Sequence, residues 1–124
     1  MASYRLRGNK NRKIVILDSS AILMLFEFSI DLEDELTRLL GKYKIVVPKP
    51  IVDEIKSLSK AGLKIIQNYE VIDAADKKGD DSVLFLVKRL DGIAVTNDRE
   101  LRKRIKEAGH HSIFLRNKSK LALE

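Results

Sequence analysis

A three-layer α/β/α sandwich around a central five-stranded parallel sheet is the fold class the sequence predicts, on three observations. Short apolar runs alternate along the chain with longer segments whose apolar residues recur at helical spacing. The first run, Ile14-Val15-Ile16-Leu17, is apolar without alternation, as a strand covered on both faces must be. The junctions carry Asp, Ser, Thr, Pro or Gly, the residues that cap helices and make turns.

Taken in order, residues 1–12 form a basic N-terminal tail with Arg5, Arg7, Lys10 and Arg12. The domain spans 13–116, and 117–124 are a C-terminal tail with no pattern of their own. Ile14–Leu17 is the first strand and Asp18-Ser19-Ser20 a helix start, followed by an apolar helix to Phe28. Asp31 opens a second helix, with Leu32, Leu36, Leu39 and Leu40 on one face and Gly41 as its stop. Ile45-Val46-Val47 is the second strand. Pro48 and Pro50 end it and start a helix whose apolar face is Ile51, Val52, Ile55 and Leu58. A short helix is expected after Gly62. Tyr69–Ile72 is the third strand, and Asp73–Gly79 a polar loop. A helix from Asp80 to Leu90 leads into the fourth strand, Ile93-Ala94-Val95. A basic helix then runs from Asp98 to Ala108, and Ile113-Phe114-Leu115 closes the sheet.

A chain of 124 residues with 44% apolar content makes one domain with a modest core. It has no cysteine, which excludes disulfides and thiolate zinc sites and suits a cytoplasmic location. The longest apolar run, Ala21–Phe26, is too short to cross a bilayer, so no membrane association is expected. The net charge of +6 favours a polyanionic partner. The 34% charged content with many Lys and Glu also suits a heat-adapted protein.

Four acidic positions fall where a strand hands over to a helix or close beside such a place: Asp18, Glu54, the pair Asp80/Asp81, and Asp98. In a parallel sheet those junctions share one edge, where ligands of open α/β folds sit. The helix beginning at Asp80 runs opposite to the strands, so its start points to that edge too. Asp80 shares a stripe with Val83, Leu84 and Val87 and is the better inward-facing group; Asp81 lies on a wetter stripe. Taken singly, Asp18, Asp80 and Asp98 read as helix caps, and Glu54 as an acid favoured by the helix dipole. Taken together they form a carboxylate cluster that calls for a hard divalent cation, Mg²⁺ or Mn²⁺. Ser19, Ser20, Thr96 and Asn97 beside them can hold water or hydrogen-bond the ligands.

These segments resemble a PIN domain, the small nuclease family related in fold to flap endonucleases. The likeness lies in Ile-Val-Ile-Leu-Asp18-Ser-Ser-Ala, Val-Pro-Lys-Pro-Ile-Val-Asp-Glu54-Ile, Gly-Asp80-Asp81-Ser-Val-Leu and Ala-Val-Thr96-Asn97-Asp98-Arg-Glu-Leu. It extends from Ile14 to Leu115. It implies that Asp18, Glu54, Asp80 or Asp81, and Asp98 are catalytic, with Asp18, Asp80 and Asp98 on the metal and Asp81 the alternative to Asp80 or a group that supports it, and that single-stranded RNA is the substrate. The Asp80-Asp81 doublet resembles the branch that processes ribosomal RNA. That role, or RNA quality control, is expected ahead of the toxin of a toxin–antitoxin pair and of a non-catalytic RNA-binding or scaffold module. The partners expected are RNA, an antitoxin or a ribosome-assembly protein, and a second copy of the chain through Ile22, Leu25, Phe26, Phe28 and Ile30. Arg99, Arg102 and Lys103 on the basic helix are the candidate phosphate contacts. His110 and His111 are expected to have surface or turn roles.

Other phosphoryl chemistries fit less well. A dehalogenase-type phosphatase needs a second Asp where Ser20 stands, and a receiver-type phosphoacceptor lacks its Lys after the fifth strand. No Gly-Lys-Ser/Thr phosphate loop is present.

Overall fold

A computed structural model describes residues 12–124. Arg5, Arg7 and Lys10 of the expected tail lie outside the described residues. The elements are β1 (Lys13–Leu17), α1 (Ser19–Glu27), α2 (Leu32–Leu40), β2 (Tyr43–Pro48), α3 (Lys49–Leu58), α4 (Lys60–Ile66), β3 (Glu70–Ile72), α5 (Gly79–Leu90), β4 (Ile93–Val95), α6 (Arg99–Glu107), β5 (His111–Asn117) and β6 (Lys120–Leu123). The strands lie in the order β3-β2-β1-β4-β5-β6. The first five are parallel, and β6 is antiparallel to β5. Helices complete a three-layer α/β/α sandwich.

The register explains the unbroken apolar runs. Val15 pairs with Ile45 on one side and Ile93 on the other, and Ile16 with Val46 and Ala94. Val15, Ile16, Leu17, Ala94 and Val95 are completely buried. Each large aliphatic side chain hidden in this way contributes about 1.5–3 kcal/mol of transfer free energy. α5 lies on β1, β2 and β4, between α3 and α6. The turn from α5 into β4 needs Gly92: a Cβ there would collide with Ile16 Cδ1 and stand 3.0 Å from the Ile14 carbonyl oxygen.

The structure departs from the sequence reading in three places. The sheet has six strands where five were expected. Lys120–Leu123, placed in a C-terminal tail, pairs with β5 after a two-residue turn at Lys118-Ser119, whose Ser119 amide and hydroxyl both bond Asn117 Oδ1. Leu121 is buried in the core, and four residues are too few to show a period. Second, α4 begins before Gly62, not after it. Ser59 caps the helix by accepting from the Gly62 amide at 2.9 Å. Gly62 is there for closeness: a Cβ would stand 3.2 Å from Ile55 Cγ2 and 3.3 Å from Ile22 Cγ2. Third, the apolar set assigned to a second copy is divided. Ile22 and Leu25 point into the core, whereas Phe26 is 58% exposed. A helix that is apolar all round cannot reveal from sequence which of its faces is free.

Candidate active site

The carboxyl edge of the sheet is built around Asp18, the residue after β1. Its amide donates to the Val95 carbonyl at 3.1 Å, which carries the β1–β4 pairing one residue past the strand and turns the side chain inward. Asp18 is 3% exposed and makes no side-chain cap bond to α1. Its Oδ2 accepts from the Ser20 hydroxyl at 2.7 Å and the Thr96 hydroxyl at 2.6 Å. The helix-cap reading of Asp18 therefore fails on geometry: two hydroxyls hold the carboxylate instead.

Thr96, completely buried, joins three acidic-edge segments. Its amide donates to the Ile113 carbonyl at 2.9 Å, its hydroxyl donates to Asp18, and its oxygen accepts from the Asp98 amide at 3.0 Å. Ser20 Oγ accepts from the Asn97 amide at 3.3 Å. The Asn97 side chain turns the other way, its Oδ1 accepting from the Leu115 amide at 2.8 Å, so it ties β4 to β5. Ser19 takes no part in this network.

Asp98 does cap its helix, accepting from the Leu101 amide at 3.0 Å through Oδ1. Asp80 stands in the first turn of α5, half-buried, and makes no cap bond. Burial raises the pKa of its carboxyl, and the charges of Asp98 and Asp18 raise it further, against a lowering pull from Arg104. The start of α5 therefore brings Asp80 into the field of Asp98 and Asp18. Asp81 points elsewhere, into an exposed salt bridge with Arg104 at 2.8 Å.

Glu54 is less intimately placed. It is exposed on α3 and lines an open cleft of about 650 Å³ with Lys49, Asp53 and the loop that ends at Gly79, one residue before Asp80. Of the expected phosphate contacts, Arg99 and Lys103 are exposed. Arg102 is engaged: Nε donates to Glu124 Oε1 at 3.1 Å, and the guanidinium lies 4.0 Å from the Phe114 ring centre. Both histidines sit away from this edge, His110 beside Asp91 and His111 against the Glu124 carbonyl.

Among the described residues no three carboxylate or imidazole groups are gathered tightly enough to enclose a metal ion. The donors at the edge are nonetheless carboxylate oxygens, as hard cations require, and Mg²⁺ commonly takes only one or two carboxylates and keeps several waters. The residues therefore fit a largely hydrated divalent ion and do not fit a closed protein cage.

Comparison with known proteins points one way. The signature of the family described as "PIN like domain" matches residues 15–118. Ribonuclease VapC9 of Archaeoglobus fulgidus is 23% identical over 135 residues, covering 100% of this chain and 98% of that protein. The PIN domain endonuclease Utp24 superposes with a TM-score of 0.81 at 23% identity, covering 92% of each chain. A PilT N-terminus domain protein from Sulfolobus solfataricus superposes with a TM-score of 0.61 at 18% identity, over 82% of this chain and 86% of its own.

Proposed function

The chain belongs to the PIN-like domain family, and from that premise we propose that it is a divalent-metal-dependent endoribonuclease. It hydrolyses phosphodiester bonds of single-stranded RNA, in ribosomal RNA processing or RNA quality control, in the cytoplasm. The observation that carries this reading is Asp18, held by two hydroxyls instead of an amide, together with Asp80, whose carboxyl is pushed up by burial and then by the charges of Asp98 and Asp18. Raised carboxyls among like charges are costly in a fold and cluster at functional sites.

In this mechanism Asp18, Asp80 and Asp98 would hold Mg²⁺ or Mn²⁺, in part through water. Such an ion would supply a more acidic water and charge compensation at the phosphate oxygens during in-line displacement. Thr96 and Ser20 fix Asp18 Oδ2 and leave Oδ1 free of these two bonds. Asp98 keeps its position by capping α6 through Oδ1, which leaves Oδ2 for the site. Glu54, at the cleft beside the start of α5, orients the attacking water. The water oxygen bonds to phosphorus as the bond to the leaving oxygen breaks, the water giving its proton to solvent and the leaving oxygen taking one from solvent.

Incubation with an unstructured and a hairpin RNA, each with Mn²⁺, Mg²⁺ or EDTA, tests this reading. The expected result is cleavage of the unstructured RNA in metal alone, lost in Asp98→Asn. RNA binding without cleavage in either metal would sink it in favour of a non-catalytic binding module.

The toxin reading is favoured by one observation, the similarity to a protein named VapC9 along the whole chain. The Asp80-Asp81 doublet, through its resemblance to the branch that processes ribosomal RNA, supports the processing role. A co-encoded small protein that binds this chain and suppresses its cleavage would decide for the toxin.

A further inference from the structure

The basic helix was the expected RNA contact, yet cationic side chains gather more densely beside it. A second cleft, of about 540 Å³, lies along the outer side of α5, and Arg104 reaches it from α6. Leu84 and Phe85 form its apolar floor, and Lys77, Lys88, Arg89 and Arg104 its walls. Its one carboxylate, Asp81, is already paired with Arg104. The first cleft differs in sign, with three lysines against four carboxylates. Lys77 lines both clefts, so they meet across the start of α5, where Asp80 stands. The Arg89 guanidinium lies 6.0 Å from the Phe85 ring centre, so a flat cationic group stands over an aromatic one in the cleft.

We propose that this cleft is the subsite for a nucleotide next to the scissile phosphate of single-stranded RNA, its base stacked on Phe85 and its phosphates held by Lys88, Arg89 and Arg104. Four cations to one carboxylate select a polyanion, and an apolar floor with an aromatic ring selects an unpaired base. Stacking tolerates any base, and backbone phosphates are read by charge alone, so the cleft takes single strands with little regard to sequence. A duplex offers the same charge but no free base for Phe85. The Asp81–Arg104 pair lines the cleft, and a phosphate arriving there would compete with Asp81 for the guanidinium. The inference rests on the nuclease reading for the chemistry at Asp80, but not for the binding itself.

The test is anisotropy titration of a fluorescein-labelled single-stranded 12-nucleotide oligouridylate, and of a duplex of equal length, into the full chain in EDTA. Phe85→Ala should weaken single-strand binding about tenfold and duplex binding by less than about twofold, given the usual worth of one stacked base. Because Phe85 is half-buried, its melting temperature is measured alongside, and the exposed pair Lys88→Glu with Arg89→Glu supplies a second route. That double variant should flatten the dependence of log Kd on log salt by about one to two units. Lys60→Glu on α4, outside the cleft, should leave single-strand affinity unchanged. Wild-type affinity and salt slope in the folded double variant overturn the proposal and leave the cleft to a protein partner. If wild type binds as expected but never cleaves, the cleft stands and the nuclease reading falls. If cleavage at low RNA concentration is as fast in the double variant as in wild type, the cleft falls and the nuclease reading stands.

Discussion

Carboxylates at two places along one sheet are pushed in opposite directions by what surrounds them. At the β5–β6 edge, Glu35 is held below the usual carboxylate range by its hydrogen bond to Arg38 and by the Leu121 amide. Glu124 is held down by its bond to Arg102. At the carboxyl ends of β1 and β4, Asp80 is pushed up by burial and then by Asp98 and Asp18. The first group meets cations and amides, and stabilises the fold as it stands. The second meets other carboxylates and hydroxyls, an arrangement that costs stability until a cation arrives. A carboxylate that relieves local charge is structural, and one that adds to it is a candidate for chemistry.

The largest effect that would sharpen this contrast is on cleavage. Asp98→Asn should lower metal-dependent RNA cleavage by about a hundredfold or more, the scale of losing one group that stabilises charge in the transition state. It should leave the melting temperature nearly unchanged, because Asn caps a helix about as well as Asp. Glu124→Gln should show the converse, unaltered cleavage with a lower melting temperature. Equal losses of activity in both variants would erase the distinction. Next in size is Thr96→Val, which strips a donor from the buried Asp18 carboxylate and an acceptor from the Asp98 amide. It should cost about 1–3 kcal/mol in a denaturant titration, the usual range for leaving buried polar groups unpaired. A neutral result would mean that water replaces the hydroxyl and that the Asp18 site is wetter than its burial suggests.

Asp80→Asn tests the sign of the contrast directly. The folded-state pKa of Asp80 lies above its ordinary value of 3.8. Its contribution to stability is thus most favourable below that value and is lost as pH rises through the raised pKa. In EDTA at pH 7 the Asn variant should melt above wild type, and the two should converge in acid. Added Mg²⁺ should raise the wild-type melting temperature more than that of the variant. A variant that melts below wild type in EDTA would show that Asp80 is a stabilising group like Glu35.

Much of this edge was legible because topology did the gathering. Parallel strands place every strand-to-helix junction on one side, so Asp18 and Asp98 needed no side-chain detail to be brought together. Helical spacing separated Asp80 from Asp81, because three and four residues on lie Val83 and Leu84 for the one, Leu84 and Phe85 for the other. What stayed hidden depended on pairing across elements. Nothing in the sequence shows that Arg102 is committed to Glu124 and Phe114, since Glu124 follows a strand too short to carry a pattern. Nor does it show that Arg104 crosses to Asp81 and joins Lys88 and Arg89, because that cleft is made by two helices packing side by side. Glu54 shows the limit of spacing: its position after β2 suggested the acidic edge, but the cleft it lines with the loop before α5 is made by packing between elements.

The smallest effect tests the structural half of the comparison. Glu35 Oε1 accepts from the Leu121 amide at 2.8 Å, and Arg38 donates to the Leu121 carbonyl at 2.7 Å. One side-chain pair on α2 thus satisfies both backbone groups of Leu121 that face away from β5, closing part of an edge strand that would otherwise be free to pair with another chain. Because the folded-state pKa of Glu35 is depressed, its contribution is present above its ordinary value of 4.5 and is lost as pH falls through the lower folded value. Glu35→Gln should therefore melt slightly below wild type at pH 7, with the gap closing in acid and narrowing in high salt as the exposed partner is screened. Cleavage should not change. If instead the gap widened in acid, Glu35 would be acting as a protonated donor, and the division between charge-relieving and charge-adding carboxylates would fail at the group where the surroundings make it plainest.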